Sequence, residues 1–344
     1  MAMKEITKET QGWVNFADVP YIRQLEERVL YPFSTLNYMT GGAELGELTI
    51  IAGETGAGKT TLVTQIVAEM IKRVKVGAIY GESTMRKQVQ NAYRTFTPYQ
   101  NEDKTTNYVY VRYQQDGKDT NVGAYFVNEE SEKRVKEITN KKLFYYKTEL
   151  GMTIDDVLGQ IHFAHKYAGI KYFLIDNMTQ IETQTENEVR EVKDCVEKIR
   201  RFLIDNNVHV ILLAHFRKAA EMAVIRRSIQ EIMGTAASGQ KAATAMNVIR
   251  LDGVDRNSKA YKILKNLCEV KGYNLDEADS VIEVLKTRHN KLGFVPLKFY
   301  AATNTFKECK CTKNEQSEQD QYHTKSAVPA TVPLSKPEQL PFDI

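Results

Sequence analysis

No apolar run in the 344-residue sequence approaches the ~18 residues that a membrane-spanning helix needs, so no membrane partner is expected. The first residues, MAMKEITKETQGW, carry acids and no apolar core, so neither a secretory nor a transit peptide fits. Neither sign of charge dominates. Lys+Arg number 47 against 44 Asp+Glu, and the net +3 is too small a sum to announce a nucleic-acid binder. Cysteine is scarce, with only Cys195, Cys268, Cys309 and Cys311, and no C-x-x-C pair that would assemble a zinc site. Cys309-Lys310-Cys311 has the closeness of a redox pair or half a metal site, yet lacks a second pair, and reduced thiols are expected. Proline is sparse too. Half of the eight, Pro329, Pro333, Pro337 and Pro341, sit at a spacing of four near the C-terminus.

What is present is an ordinary globular composition, 42% hydrophobic and 26% charged. The chain is long enough for one large or two ordinary domains. From about Lys307 onward the sequence turns to Lys, Glu, Gln, Ser and Thr before the prolines, so residues 307–344 are expected to form a disordered tail. Residues 1–30 suggest an arm: Leu25, Val29 and Leu30 lie at helical spacing among charged neighbours, which predicts an amphipathic linker helix.

Between these ends, over 31–306, strands and helices alternate. Short uninterrupted apolar runs occur at Leu48–Ala52, Val76–Tyr80, Leu143–Tyr146, Tyr172–Ile175, Val208–Ala214, Asn247–Leu251 and Val281–Leu285. Helical periodicity follows the first run (Leu62, Val63, Ile66, Val67, Met70) and precedes the fifth (Val192, Val196, Ile199, Leu203). Thr153 with Asp156 makes a capping box. Strands of this kind alternating with helices predict one α/β domain whose mostly parallel sheet is covered on both faces. Residues Thr97–Lys142 break the rhythm, with Tyr/Val strands around the polar turn Gln114-Gln115-Asp116-Gly117 and a charged helix, which predicts an excursion from the core.

Gly53-Glu54-Thr55-Gly56-Ala57-Gly58-Lys59-Thr60 matches G-x-x-x-x-G-K-[ST] at each fixed position, after one strand and before an amphipathic helix that continues at Thr61. Glycines let the backbone curl until its amides point at a phosphate, the helix N-terminus adds partial positive charge, and Lys59 reaches the β- and γ-phosphates. Thr60 offers a hydroxyl to Mg²⁺. The run Tyr172-Phe173-Leu174-Ile175 closes on Asp176, a second metal contact, although a strand-ending aspartate also serves as a helix cap. Glu82, just past the second strand, is the candidate base for the attacking water, and His215 ends the fifth strand as a candidate γ-phosphate contact.

In this order the residues resemble the DnaB-type hexameric replicative helicases, particularly the helicase part of phage primase-helicases and Twinkle. The resemblance runs from Pro32-Phe33-Ser34-Thr35-Leu36-Asn37-Tyr38-Met39-Thr40-Gly41-Gly42 and Gly46-Glu47-Leu48 into the nucleotide loop. It continues through Tyr80-Gly81-Glu82-Ser83, Leu174-Ile175-Asp176-Asn177, Leu212-Leu213-Ala214-His215 and Val284-Leu285-Lys286-Thr287-Arg288. It implies a RecA-like P-loop core that hydrolyses ATP, or another NTP, with Mg²⁺. It makes Glu82 the catalytic base, His215 the γ-phosphate sensor, and Lys286 with Arg288 a pair reaching into a neighbouring subunit's site. The resemblance also implies a homohexamer on single-stranded or forked DNA, moving 5′ to 3′, in the cytoplasm of a bacterial or phage-infected cell. Arg217, Lys218, Arg226 and Arg227 are expected in a cationic loop facing the channel, where they track phosphates without reading sequence. Met233-Gly234-Thr235-Ala236-Ala237-Ser238-Gly239-Gln240 is similar to the family's glycine-led loop, but its longer spacing to the next strand leaves the contacts of Gln240 and Lys241 open.

No collar domain fits before residue 31 and no primase domain is present, so a separate primase is expected, with a loader, polymerase or sliding clamp as further partners. Gln339-Leu340-Pro341-Phe342 in the tail resembles a shortened clamp-binding peptide. The runner-up reading is a RecA- or RadA-like recombination ATPase, which forms filaments. A third is an ATP-binding remodelling or scaffold protein without motor activity.

Overall fold

Strands formed by continuous apolar runs must be buried on both faces, and here they are. The computed structural model describes residues 28–81, 85–96, 108–115, 118–125, 129–147, 152–176, 188–216, 227–232, 241–289, 291–301 and 303–310. Short β1 (Arg28–Val29) pairs with β2 (Ala43–Glu44), and β3 (Leu48–Gly53), β4 (Val76–Tyr80), β7 (Leu143–Lys147), β8 (Tyr172–Asp176), β9 (His209–Ala214) and β10 (Thr244–Arg250) build the parallel part of the main sheet. The strands β11 (Ser280–Lys286), β12 (Gly293–Tyr300) and β13 (Thr305–Glu308) extend it antiparallel. The nine-stranded order is β13-β12-β11-β10-β3-β9-β8-β4-β7, and all seven strands expected from the sequence lie in it.

Side chains alternate across the sheet, so one strand feeds two cores. Ile51 of β3 joins a cluster with Leu62, Val63, Ile66, Val67 and Met70 of helix α2 (Lys59–Met70), whereas Leu48, Ile50 and Ala52 face the opposite side. There they meet α5 (Ile154–Ala168) and α6 (Glu188–Asn206) through Val157, Leu158, Ile161, Val196, Ile199 and Leu203. Helix α7 (Lys259–Val270) packs Tyr261, Leu264 and Cys268 on Ile249 and Val281 in a third cluster. Thr153 caps α5, accepting from the Asp156 amide at 3.2 Å, while its own amide donates to Asp156 Oδ2 at 2.8 Å. The excursion is also present: after α3 (Met85–Phe96), β5 (Tyr108–Gln115) and β6 (Lys118–Tyr125) form an antiparallel hairpin apart from the main sheet, followed by α4 (Glu129–Thr139). Cys195, Cys268 and Cys309 are thiols, whereas Cys311 lies outside the described residues.

Two expectations need correction. The amphipathic helix expected through Val29 and Leu30 is not helical in its described part, and Leu25 lies outside the described residues. Val29, Tyr31 and Phe33 are buried while Leu30 and Pro32 are less so, which is the period of two that a strand imposes. A ladder with Ala43–Glu44 and burial of these three apolar side chains outweigh the helical spacing. At the other end, the main sheet continues past 306, because β13 runs to Glu308.

Glu308 holds the two ends of the core together. Its Oε2 accepts from the Ser34 amide at 3.1 Å and the Ser34 hydroxyl at 2.7 Å, and its Oε1 accepts from the Thr35 amide at 2.9 Å. These amides open helix α1 (Ser34–Thr40), whose N-cap, Phe33, supplies no side-chain acceptor. Substituting Glu308→Ala is expected to cost about 1–2 kcal/mol, the worth of a charged helix cap, in chemical denaturation. Ending the chain at 306 should cost more than the substitution does, because Phe306 and the strand ladder are disrupted as well.

His209 makes the fold sensitive to acid. Its Nδ1 lies 2.6 Å from the Glu44 carbonyl, and burial pushes its pKa down to about 4. The unfolded chain therefore binds a proton near pH 6.5 that the folded chain refuses until about pH 4. Stability contributed by neutral His209 is complete above pH 6.5 and lost on acidification, by about 3 kcal/mol at pH 4 and below. Unfolding free energies of wild type and His209→Gln between pH 7 and 4 should converge as pH falls.

Candidate active site

The nucleotide loop leaves the centre of the sheet, since β3 lies between β10 and β9. Gly53 has no room for a side chain: a Cβ there would lie 2.8 Å from the Val248 carbonyl. Gly58 begins α2 with φ +92°, a conformation that disfavours every residue with a Cβ. Glu54, Thr55 and Gly56 form the exposed tip, and Lys59 lies beneath it, only 7% exposed. The Lys59 ammonium donates to the Gly53 carbonyl at 2.8 Å and the Glu54 carbonyl at 3.0 Å, and lies 3.3 Å from His215 Nδ1.

The sheet brings the predicted metal contacts together. Thr60 Oγ1 donates to Asp176 Oδ2 at 3.2 Å, although 116 residues separate them. Asp176 is 4% exposed, and its carbonyl accepts from the Gly81 amide at 2.7 Å. Parallel registry sets Tyr80 opposite Asp176, with the Tyr80 ring edge-on to Tyr145 at 5.2 Å. Burial first, then Tyr145 and the Asp176 charge, raise the Tyr80 pKa, so this phenol is a neutral wall rather than a base. Glu82, one residue past Gly81, lies outside the described residues. A buried carboxylate touching a hydroxyl beside an ammonium and a loop of curled amides is a donor set that fits a Mg²⁺-nucleotide.

Lys286 and Arg288 are elsewhere. Strand β11 begins with Ser280 opposite Arg250, near the nucleotide loop, and runs away from it to Lys286, opposite Ala245. Thr244, beside Ala245, pairs with Thr49, whereas the loop starts at Gly53 beside Val248. Four residues of strand separate these levels, about 13 Å at ~3.3 Å per residue. The pair thus projects from the sheet edge opposite its own phosphate loop. Desolvation, followed by the charges of Arg288 and Arg200, lowers the Lys286 pKa, and Arg288 is exposed. Behind Arg288, His289 Nε2 lies 2.9 Å from Glu47 Oε2, and its Nδ1 is 3.1 Å from Arg28 Nη2, so Nε2 carries the donated proton. Glu44, Glu47 and His289 crowd together like metal ligands, but the Arg28 guanidinium pairs with Glu44 and balances the cluster without a cation.

The expected cationic loop is only partly described. Arg217, Lys218 and Arg226, with Gln240, lie outside the described residues. Lys241 pairs with Glu197. Arg227 departs from the channel-facing expectation. Its side chain is 6% exposed, its Nε donates to Glu54 Oε1 at 2.9 Å and its Nη1 to Glu231 Oε1 at 3.1 Å. The guanidinium also lies 5.7 Å from the Phe216 ring. Burial opposes its charge, but the hydrogen bonds and charges of Glu54 and Glu231 outweigh that and raise its pKa. With its donors turned inward to two carboxylates, Arg227 does not present them to a DNA backbone here. Arg250, which sequence reasoning missed, ends β10 with Nη1 3.4 Å from the Gly56 carbonyl; its strand was legible, its place beside the loop was not.

Comparison with known proteins agrees with this geometry. The family described as DnaB-like helicase C terminal domain matches residues 29–308. Among solved structures, the ATPase domain of one DnaB-like helicase superposes with a TM-score of 0.60 at 16% identity, covering 81% of this chain and 90% of that one. A second DnaB-like replicative helicase, solved with attention to its interactions with primase, gives a TM-score of 0.61 at 17% identity, covering 81% of this chain and 62% of that one. At these identities the two structures attest the fold. No curated protein sequence matches the chain. Among the described residues no helix is long and apolar enough to cross a membrane. With a nine-stranded RecA-like sheet, a P-loop joined to Asp176, and a family match over most of its length, the chain belongs to the DnaB-like helicase C-terminal domain family, the ATP-hydrolysing motor of replicative DNA helicases.

Proposed function

We propose that this chain assembles into a homohexameric ring that moves 5′ to 3′ along one strand of forked DNA and excludes the other. The observation that carries the reading is the placement of Lys286 and Arg288 at the sheet edge opposite their own P-loop. Cations there serve a nucleotide site only if a neighbouring subunit presents one, and head-to-tail contacts of that kind close into a ring.

Within each site, Lys59 and the loop amides bind the β- and γ-phosphates of ATP. Thr60 and Asp176 hold Mg²⁺, which supplies charge neutralisation on the phosphate oxygens when bound. Glu82 orients the attacking water and takes its proton, and His215, beside Lys59, responds to the γ-phosphate. Lys286 and Arg288 of the adjacent subunit stabilise the charge that develops in transfer. Arg217, Lys218 and Arg226 track the DNA backbone, a sequence-independent grip suited to translocation. A primase, the partner named for a structural neighbour, is the first external partner to seek, followed by a loader, polymerase or clamp.

Unwinding of a forked duplex with a 5′ single-stranded arm, in the presence of ATP and Mg²⁺, tests the reading. Unwinding together with closed rings under the electron microscope is the expected result. Filaments with strand pairing and no unwinding would falsify it in favour of a recombination ATPase.

A further inference from the structure

Two loops rich in chemistry share one base. The chain leaves the sheet after Phe216, returns at Arg227, and leaves again after Ile232, and Phe216 and Ile232 are bridged to each other. The first departure holds Arg217, Lys218 and Arg226, and the second holds the glycine-led segment. This base meets the nucleotide loop at two points. One is His215 against Lys59 at 3.3 Å, and the other is Arg227 on Glu54, across 173 residues of sequence.

The Arg227 contact is built on both sides. Ser228 opens a short 3₁₀ turn, Ile229–Glu231, and its amide donates to Glu231 Oε2 at 2.6 Å, which fixes Glu231 and leaves Oε1 for Arg227 Nη1. Nε and Nη2 of the same guanidinium then converge on Glu54 Oε1. Glu231 would be enough to neutralise a buried arginine. Glu54 is different, because its side chain is 56% exposed and it stands between Gly53 and Thr55, where the backbone must turn to enclose a phosphate. A charge-assisted fork on that residue fixes the first peptide of the phosphate cradle relative to the loop base.

We propose that Arg227 is a positioning residue that couples the nucleotide loop to the polynucleotide loops through Glu54, so that DNA on the loops improves phosphate binding and phosphate binding tightens the grip on DNA. The inference rests on the DNA-motor reading given above. The reciprocity is required by linkage: whatever free energy one ligand gains from the other through the ion pair is returned in the opposite direction.

The test is ATP hydrolysis with and without single-stranded DNA for wild type, Arg227→Gln, Glu54→Gln, the double variant and Arg227→Lys, with thermal melting of each. The measured quantity is the ratio of stimulated to basal kcat/KM. Each single neutral variant should lower the ratio about tenfold, within the range of ordinary coupling energies, and the double variant should lower it no further. Arg227→Lys, which keeps the charge but not the fork, should fall between. If Arg227→Gln fails to fold, Glu54→Gln still decides, since its side chain is exposed. An unchanged ratio in Glu54→Gln, or losses that multiply in the double variant, overturns the coupling while leaving the motor reading intact. A wild type indifferent to DNA overturns the motor reading, and the coupling with it.

Discussion

Lys59→Ala is expected to lower the rate of ATP hydrolysis by about 10³-fold, the scale found when a preorganised group facing transition-state charge is removed. The effect should exceed that of a surface lysine because Lys59 is buried beneath the loop, where neither bulk water nor a neighbouring cation replaces it. Its ammonium also bonds the Gly53 and Glu54 carbonyls, so alanine removes a donor that ties the loop's first turn. Nucleotide affinity should fall with the rate, because Lys59 meets phosphate in the ground state too. Unwinding should vanish while the fold persists, since the nonpolar neighbours Leu62, Val63 and Ile66 on α2 remain packed. Steady-state hydrolysis, binding of a fluorescent nucleotide and circular dichroism on the same preparation separate these outcomes. Hydrolysis within tenfold of wild type would contradict the assignment.

The core of this site was legible because its signals are local. A P-loop is eight consecutive residues, and a strand buried on both faces appears as an unbroken apolar run ending in Asp176, so both could be read before any contact was known. That Thr60 and Asp176 would touch followed from placing both at the same edge of one parallel sheet. The strands β12 and β13 were not legible. Pro296 lacks the amide of a central strand, and Thr305–Glu308 alternates with charges like the tail that follows it. Only pairing with β11 and the backbone clasp of Gln65 on Phe306, at 2.7 and 2.9 Å, make them part of the sheet.

Arg227 failed for a related reason. In Arg226-Arg227 the sequence shows two equal charges, and nothing in their order tells which one turns inward. A clue did exist: Ser228 with Glu231 is a capping-box pattern, and Arg227 stands four residues before that same Glu231. Glu54, the other partner, is too distant in sequence for any local rule to find. The clasp of His289 on Glu47 and Arg28 is equally long-range, yet it anchors the turn on which the Arg288 reading depends.

Arg288→Ala should lower DNA-stimulated hydrolysis by at least about 10³-fold, the contribution of an arginine finger, while changing stability little because the side chain is exposed. Loss of rate alone does not say where the residue acts, but mixing does. A ring of Arg288→Ala subunits has sound phosphate loops without fingers, and a ring of Lys59→Ala subunits has sound fingers without working loops. If Arg288 serves its neighbour, mixed rings contain interfaces where an intact loop meets an intact finger. Random assortment around a head-to-tail ring then restores roughly a quarter of wild-type hydrolysis from two inactive proteins. If Arg288 served its own subunit, no such interface could exist and the mixture would stay inactive. The topology predicts recovery. Strand β11 carries the Lys286 end away from Gly53, its last residue pairs with Ala245 at the far edge, and His289 pins the following turn to Glu47 at the start of β3. Bending Arg288 back to its own loop would require breaking that clasp and crossing the height of the sheet, whereas a neighbour's loop has only to be presented to it.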